Sequence, residues 1–391
     1  MPFNYAVLGA GRQGTAAAYD MGRWGDAHRV VIADSDLGAA RRAAVRVNRL
    51  LKRPLAVAAK ADVRRPAEVR RVLEGVDSFL SAVPYVFNLA ITRIAIQAGA
   101  SMCDLGGHTG IARQQHKADK AARKAGISIV PNCGQVPGMG TSLVVRAMEL
   151  LDKPVDVYMW DGGIPQHPRP PFNYLLTFHI AGLTNEYAEP AVFLRNGKIT
   201  EVQPMTEVET VEFPAPIGTL EAFVTGGGTD TMPWTFKGKL RTLQNLTVRY
   251  PGHFEQLKAF HDLGLWSLKP VRVGRQKVVP RDVFHALYAP FVEIPGDKDC
   301  VVVRVKALGL KNGRKAESLV EVIDWHDRKT GFTAMERTTG WSAAIVAEMA
   351  ARGEIPRGAG GVESQVPAGA FVSELRRRGM DVKERVTWPG K

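Results

Sequence analysis

The sequence predicts an α/β protein: a Rossmann doubly wound parallel sheet, with a second α+β domain built on a largely antiparallel sheet. Three observations predict it. The first third of the 391 residues alternates short β-branched or apolar runs with longer helical patterns, as βαβ units do. A Gly-x-Gly-x-x-Gly turn directly follows the first of these runs. From about residue 154 the texture changes to frequent Gly, Pro and Thr with alternating segments of the antiparallel kind. The length also exceeds that at which single hydrophobic cores usually stop growing, so two domains are expected.

Taken in order, strands are expected near Tyr5–Leu8, Val30–Ala33, Leu55–Ala58, Phe79–Val83, Ser101–Asp104 and Ser128–Val130. Helices begin near Arg12, Leu37, Pro66, Val86, Ala112 and Met139, and Pro66 suits a first helical turn because its missing N–H has no partner to lose there. Further on, Thr206–Phe213 and Val301–Ala307 alternate as strands. Helical spacing with small residues returns over Thr338–Arg352, which is expected to pack back on the first domain. The tail beyond Pro356 is Gly-rich before a last short helix. The expected division is residues 1–135 for nucleotide binding, completed by 336–391, and 136–335 for substrate binding and oligomerisation.

Composition bounds the function classes. At 45% hydrophobic and 23% charged residues the chain is ordinarily globular. No apolar run approaches the roughly 18 to 20 residues of a membrane span, and the N-terminus lacks the basic and apolar regions of a signal peptide. Cys103, Cys133 and Cys300 are odd in number and far apart, which argues against disulfides or a metal site and for a reducing cytoplasm. The net charge of +13 raises the question of nucleic acid. However, the basic residues of 41–49 and 64–71 sit in expected helices with no aromatic platform, so a solvated face is expected and no nucleic-acid partner.

The nucleotide motif is Gly9-Ala10-Gly11-Arg12-Gln13-Gly14, opening a helix after a buried strand. Gly9 allows the tight turn, Gly11 lets the backbone approach a pyrophosphate, and Gly14 allows close packing; the helix N-terminus favours an anion. Asp34 closes the second strand about 20 residues later, where a carboxylate accepts the ribose hydroxyls and repels a 2′-phosphate. NAD is therefore expected over NADP, with Arg12, Arg41 and Arg42 as the contrary signal. Asp62 borders the adenine or caps a helix, and Ala82, Val83 and Pro84, at a strand's carboxyl end, line the crevice.

Three stretches are candidates for the chemistry. Asp104 and His108, with Gly107 between them, leave the fifth strand together, and His is the side chain best tuned to move a proton near neutral pH. Cys133 precedes a helix, as a nucleophile or as a small buried hydrophobe. In the second region Asp161, Thr229, Arg249, Tyr250 and His253 fall in Gly-rich segments, with Arg249 able to clamp a carboxylate and His253 a second candidate base.

Together, Val7-Leu-Gly-Ala-Gly11, Asp104-Leu-Gly-Gly-His108, Val136-Pro-Gly-Met139, Gly162-Gly-Ile-Pro165, Leu220-Glu-Ala-Phe223 with Gly226-Gly-Gly-Thr229, Arg249-Tyr-Pro-Gly-His253 and Thr338-Thr339 resemble the saccharopine dehydrogenase-like family over nearly the whole chain. Within it the lysine 6-dehydrogenase branch is the most similar. Saccharopine reductases carry an acidic residue where this chain has Val136. The resemblance implies NAD-dependent oxidation of the ε-amino carbon of L-lysine, giving 2-aminoadipate 6-semialdehyde, which cyclises to piperideine-6-carboxylate, and ammonia. It further implies His108 and Asp104 as bases, His253 or Asp161 orienting the water, Arg249 on the α-carboxylate with Gly107, Tyr250 and Thr229 beside the substrate, and a homodimer or homotetramer. The alternatives are a saccharopine-type enzyme acting on a secondary amine, a semialdehyde dehydrogenase acylated at Cys133, and a non-catalytic NAD-binding regulator.

Overall fold

The computed structural model describes residues 2–388. Its first sheet contains the six expected strands, β1 (Phe3–Leu8), β2 (Ala27–Asp34), β3 (Ala56–Lys60), β4 (Ser78–Ser81), β5 (Ser101–Asp104) and β6 (Ser128–Val130). Their spatial order is 3-2-1-4-5-6, all parallel, and a short strand at Gly358–Ala359 extends the sheet beside β6. This is the doubly wound Rossmann order, whose ligand crevice lies at the carboxyl ends of β1 and β4, where the strand order reverses. β4 ends at Ser81 rather than Val83, because the chain turns at Pro84 into a 3₁₀ turn over Tyr85–Phe87.

The second sheet is mixed. Its order is Glu209–Phe213, Gly218–Phe223, Thr242–Arg249, β7 (Lys153–Pro165), Asp299–Lys311, Arg314–Trp325 and Asp381–Thr387. Only the pairing of β7 with Thr242–Arg249 is parallel on this path. The last strand departs from the expected ending in a short helix. After helix Ala368–Arg377 the chain re-enters the second sheet, so the C-terminal segment serves both halves. The run Lys383-Glu384-Arg385 at the strand's centre hid its alternation in the sequence. An aromatic layer containing Tyr174, Tyr187, Trp266, Phe284 and Tyr288 packs in one cluster with Phe223 of this sheet.

The segment after Thr333 ties the halves together. It forms a helical run with a π turn at Arg337–Trp341, and Gly340 meets the first helix α1 (Arg12–Trp24) so closely that a Cβ would lie 2.7 Å from the Gln13 carbonyl oxygen. Helix Ser342–Ala351 is buried around nearly its whole circumference, as its Ala, Val and Ile content requires. One polar cluster is sealed in that contact: the Arg378 guanidinium bonds both Asp20 oxygens, Glu348 at 2.8 Å, and Glu374.

Candidate active site

At the crevice, Gly9 has φ +105°, and a Cβ there would lie 2.6 Å from the Ala82 carbonyl oxygen, with Val83 pressing from the same side. A Cβ on Gly14 would lie 2.0 Å from the Gly9 carbonyl oxygen, whereas one on Gly11 would meet nothing within 4 Å. The turn is therefore tight behind and open in front. Among the described residues no side chain caps α1, and no acidic residue occupies its first turn, which leaves its N–H groups to an anion. Asp34 Oδ2 accepts the Ala10 N–H at 2.8 Å and Oδ1 the Asp36 N–H at 2.9 Å, so its carboxylate is fixed beside the glycine turn. These residues fit a dinucleotide.

Other expected nucleotide contacts are occupied differently. Arg12 pairs with the nearly buried Glu336 at 3.0 Å, which turns its guanidinium toward the C-terminal segment. Gln13 is half-buried with an unpaired Oε1. Asp62 is taken up locally by Arg64, whose guanidinium and backbone N–H hold the carboxyl at about 2. A concavity of about 460 Å³ lined by Asn4, His28, Arg29 and Arg71 lies at the amino ends of the parallel strands, the side opposite the crevice, and has no part in the site.

The loop after β5 separates the two residues first favoured as bases. Asp104 is buried, and its carboxylate accepts the Gly106 N–H at 2.8 Å, the Asn132 N–H at 3.0 Å and Gln115 Nε2 at 2.8 Å. It fastens two loops together and has no open face for a substrate; burial raises its carboxyl against these three donors. His108 is exposed and stacks on Tyr85, ring centroids 5.5 Å apart, and Gly107 (φ +123°) lies against the same tyrosine. Cys133 is fully buried, with Sγ 3.2 Å from the Val130 carbonyl oxygen, and burial pushes its thiol well above its ordinary range. That is the small buried hydrophobe, not the activated nucleophile.

The structure instead gathers polar groups on one face of the second sheet. Along strand Thr242–Arg249, Asn245, Thr247 and Arg249 alternate onto this face, and Thr247 is in register with Asp161 on β7. All four are buried. Asp161 Oδ1 accepts Asn245 Nδ2 at 3.0 Å, and Oδ2 accepts Nε2 of Gln135, from the loop after β6, at 3.2 Å. Burial lifts its carboxyl to about 6, opposed by Asn245, the Arg249 charge and Gln135.

Arg249 donates through Nε to the Tyr187 hydroxyl at 2.9 Å and through Nη1 to the Val248 carbonyl at 2.8 Å. Nη2 makes no hydrogen bond among the described residues. The donor inventory fixes the rest of the chain. His253 Nδ1 lies 3.2 Å from the Phe172 carbonyl, an acceptor only, so Nδ1 carries the proton. Its Nε2 then accepts from the Tyr187 O–H at 3.0 Å. His253 is fully buried, and burial together with the Arg249 charge holds it neutral, with its pKa down to about 3. It is therefore a support for Arg249 through Tyr187, not the base it resembled in sequence. Tyr250 alternates to the opposite face, against the Trp160 and Ile164 cluster, and the Thr229 hydroxyl is taken by the Val192 carbonyl at 2.6 Å. Neither reaches the Arg249 face.

Sequence reading missed Gln135, Tyr174, Glu186, Tyr187 and Asn245. Asn245 had a signal, the polar alternation Asn245-x-Thr247-x-Arg249 in an apolar strand. Glu186 and Tyr187, on helix Ile180–Ala188, had none, since only tertiary folding lays that helix over the sheet. Glu186 is half-buried, feels both Arg249 and Asp161, and is pushed up to about 8 by burial.

Comparison with known proteins agrees with this architecture. Residues 5–130 match the saccharopine dehydrogenase NADP binding domain and 134–380 the saccharopine dehydrogenase C-terminal domain. A mitochondrial alpha-aminoadipic semialdehyde synthase of Rattus norvegicus is 22% identical over 386 residues, covering 80% of this chain and 41% of the relative. A saccharopine dehydrogenase [NADP(+), L-glutamate-forming] of Pyricularia oryzae is 23% identical over 223 residues, 55% of this chain and 48% of that one. The chain thus spans less than half the length of these curated relatives. Apo saccharopine dehydrogenase (L-Glu forming) from Saccharomyces cerevisiae superposes with a TM-score of 0.78 at 18% identity, over 98% of this chain and 100% of that one, which establishes a shared fold.

Proposed function

The chain belongs to the saccharopine dehydrogenase family, and from that premise we propose that it oxidises the ε-amino carbon of L-lysine with NAD. The observation that carries the choice of substrate is charge. Two carboxyl groups, Asp161 on the sheet and Glu186 on the helix laid over it, feel the charge of one guanidinium, Arg249. Lysine brings the complement, two ammonium groups and one carboxylate. Saccharopine brings three carboxylates, for which this cluster offers a single guanidinium. Val136, where an acidic residue marks the saccharopine reductases, packs against the hydrophobic core.

A bound dinucleotide supplies the hydride acceptor. Arg249 Nη2 takes the substrate carboxylate, with the guanidinium plane held by Tyr187 and Val248. The ε-ammonium, of ordinary pKa about 10.4, must lose a proton before hydride leaves its carbon. Asp161 is the base for that proton, because burial makes it more basic than an ordinary carboxylate while Asn245 and Gln135 hold it in place. Hydride departure turns the neutral amine into an iminium ion; water adds to that carbon, ammonium leaves, and the aldehyde remains. Asp34 supports NAD over NADP, since a carboxylate fixed beside the glycine turn suits a free 2′-hydroxyl and repels a phosphate. On this point the chain is read as differing from the NADP-type relatives.

The test is absorbance at 340 nm with NAD and L-lysine, repeated with NADP and with saccharopine. Lysine-dependent NADH formation with a piperideine product is expected. Oxidation of saccharopine alone would overturn the reading in favour of the secondary-amine enzyme, and tight NAD binding with no turnover of any amine in favour of a regulator.

A further inference from the structure

Glu186 has no role in the steps above beyond its charge. It lies one residue before Tyr187, whose hydroxyl fixes Arg249, and its own backbone carbonyl accepts the Gly226 N–H at 2.7 Å, so its position is set. The charged and titratable groups around it are Arg249 and Asp161 from the sheet, and Tyr174 and Tyr187 from the covering layer. Asp161 is already held through both oxygens and Arg249 through two nitrogens. The Glu186 carboxylate makes no hydrogen bond among the described residues, although the side chain is half-buried. It is the member of the cluster whose whole hydrogen-bonding capacity is open.

We propose that Glu186 is the specificity residue for the substrate's α-amino group, receiving the α-ammonium beside the carboxylate clamped by Arg249 and leaving Asp161 to the ε-amine. The assignment rests on the lysine reading above and names the part of the site that reads an amino acid rather than a simple amine. A second consequence follows from charge balance. In the empty pocket two carboxyl groups share one guanidinium, and burial raises that of Glu186 to about 8, which favours its protonated form near pH 7. The arriving ammonium displaces that proton: Glu186 goes from carboxylic acid to carboxylate, the substrate stays protonated at its α-nitrogen, and one proton enters the solvent.

The experiment is calorimetric binding to the full chain saturated with NADH, a dead-end complex in which no turnover occurs. The ligands are L-lysine and 6-aminohexanoate, which keeps the carboxylate and ε-ammonium but lacks the α-amino group. Two buffers of different ionisation heat report the protons released. The wild type is expected to prefer lysine by about 10- to 100-fold, the value of a charge-assisted hydrogen bond, with about one proton released. Glu186→Gln should bring the two affinities together and abolish the proton release while 6-aminohexanoate binds as before. NADH affinity checks folding, and Glu186→Asp, which keeps the charge on a shorter stem, should retain part of the preference. A Glu186→Gln protein that keeps the wild-type preference would overturn the assignment with the lysine reading intact. A wild type that binds neither ligand would overturn the lysine reading itself, and the assignment with it.

Discussion

Tyr187→Phe isolates the hydroxyl on which the Arg249 clamp depends. That oxygen accepts Arg249 Nε at 2.9 Å and donates to His253 Nε2 at 3.0 Å, and both partners are buried. Phe keeps the ring and its edge-on contacts with Phe223 and Trp266, at 5.8 and 5.7 Å, so no cavity opens. What is lost is one partner for each of two buried groups. An orphaned buried donor or acceptor costs about 1–3 kcal/mol, so the variant should be about 2–6 kcal/mol less stable in urea unfolding. Arg249 keeps its charge but loses the bond that sets its plane. The KM for the amino acid should therefore rise about tenfold, the equivalent of about 1.4 kcal/mol, with the KM for coenzyme unchanged. A variant with wild-type stability and wild-type KM would refute the relay. Equal losses toward amino acid and coenzyme would show general damage instead and refute the same reasoning.

Two further outcomes follow from buried carboxylates. Asp161 is raised to about 6, so as a base it is lost by protonation on the acid side: kcat/KM should fall about tenfold per pH unit below 6, and Asp161→Asn should abolish turnover while coenzyme still binds. In the sealed cluster, burial raises Glu348 to about 8 although Arg378 opposes it, so the folded state holds its proton more tightly than the unfolded chain. The stability from that proton is complete below the ordinary carboxylate range and is lost as pH rises through about 8. Urea unfolding should therefore show the wild type losing stability between pH 5 and 8 relative to Glu348→Gln; parallel curves would refute it. Arg378→Met, which leaves the buried Asp20 carboxylate without its cation and Glu348 without its donor, should cost about 3–5 kcal/mol in the same assay.

Residues acting through neighbours in the chain were legible in the sequence. Gly9, Gly11, Gly14 and Asp34 form a turn whose demands are local: a positive φ, a close approach, and a carboxylate at the end of the adjacent strand. The parallel sheet was legible for the same reason, since βαβ periodicity is written residue by residue. Arg249 was singled out from the sequence because a guanidinium can pair with a carboxylate wherever it stands, and the structure leaves its Nη2 without a hydrogen bond among the described residues. Function was not legible where two groups meet only after folding. Asp104 and His253 have the composition of catalytic residues, but tertiary contacts spend their hydrogen-bonding capacity inside the protein, on Gly106, Asn132 and Gln115 for the one and on Phe172 and Tyr187 for the other.

The nucleotide turn, the positions of the first six strands and the family were all legible in residues that lie close together in the chain. Which polar groups keep free hydrogen-bonding capacity follows from folding. A strand's pleat sends Arg249 to one face and Tyr250 to the other, and a helix some 60 residues earlier supplies Glu186 and Tyr187 to the Arg249 face. The last strand, Asp381–Thr387, pairs with Arg314–Trp325 in a sheet its own charged sequence did not announce. Burial and hydrogen-bond pairing are properties of groups brought together across the chain, and for the helix over the sheet and for the last strand no local window contains both partners.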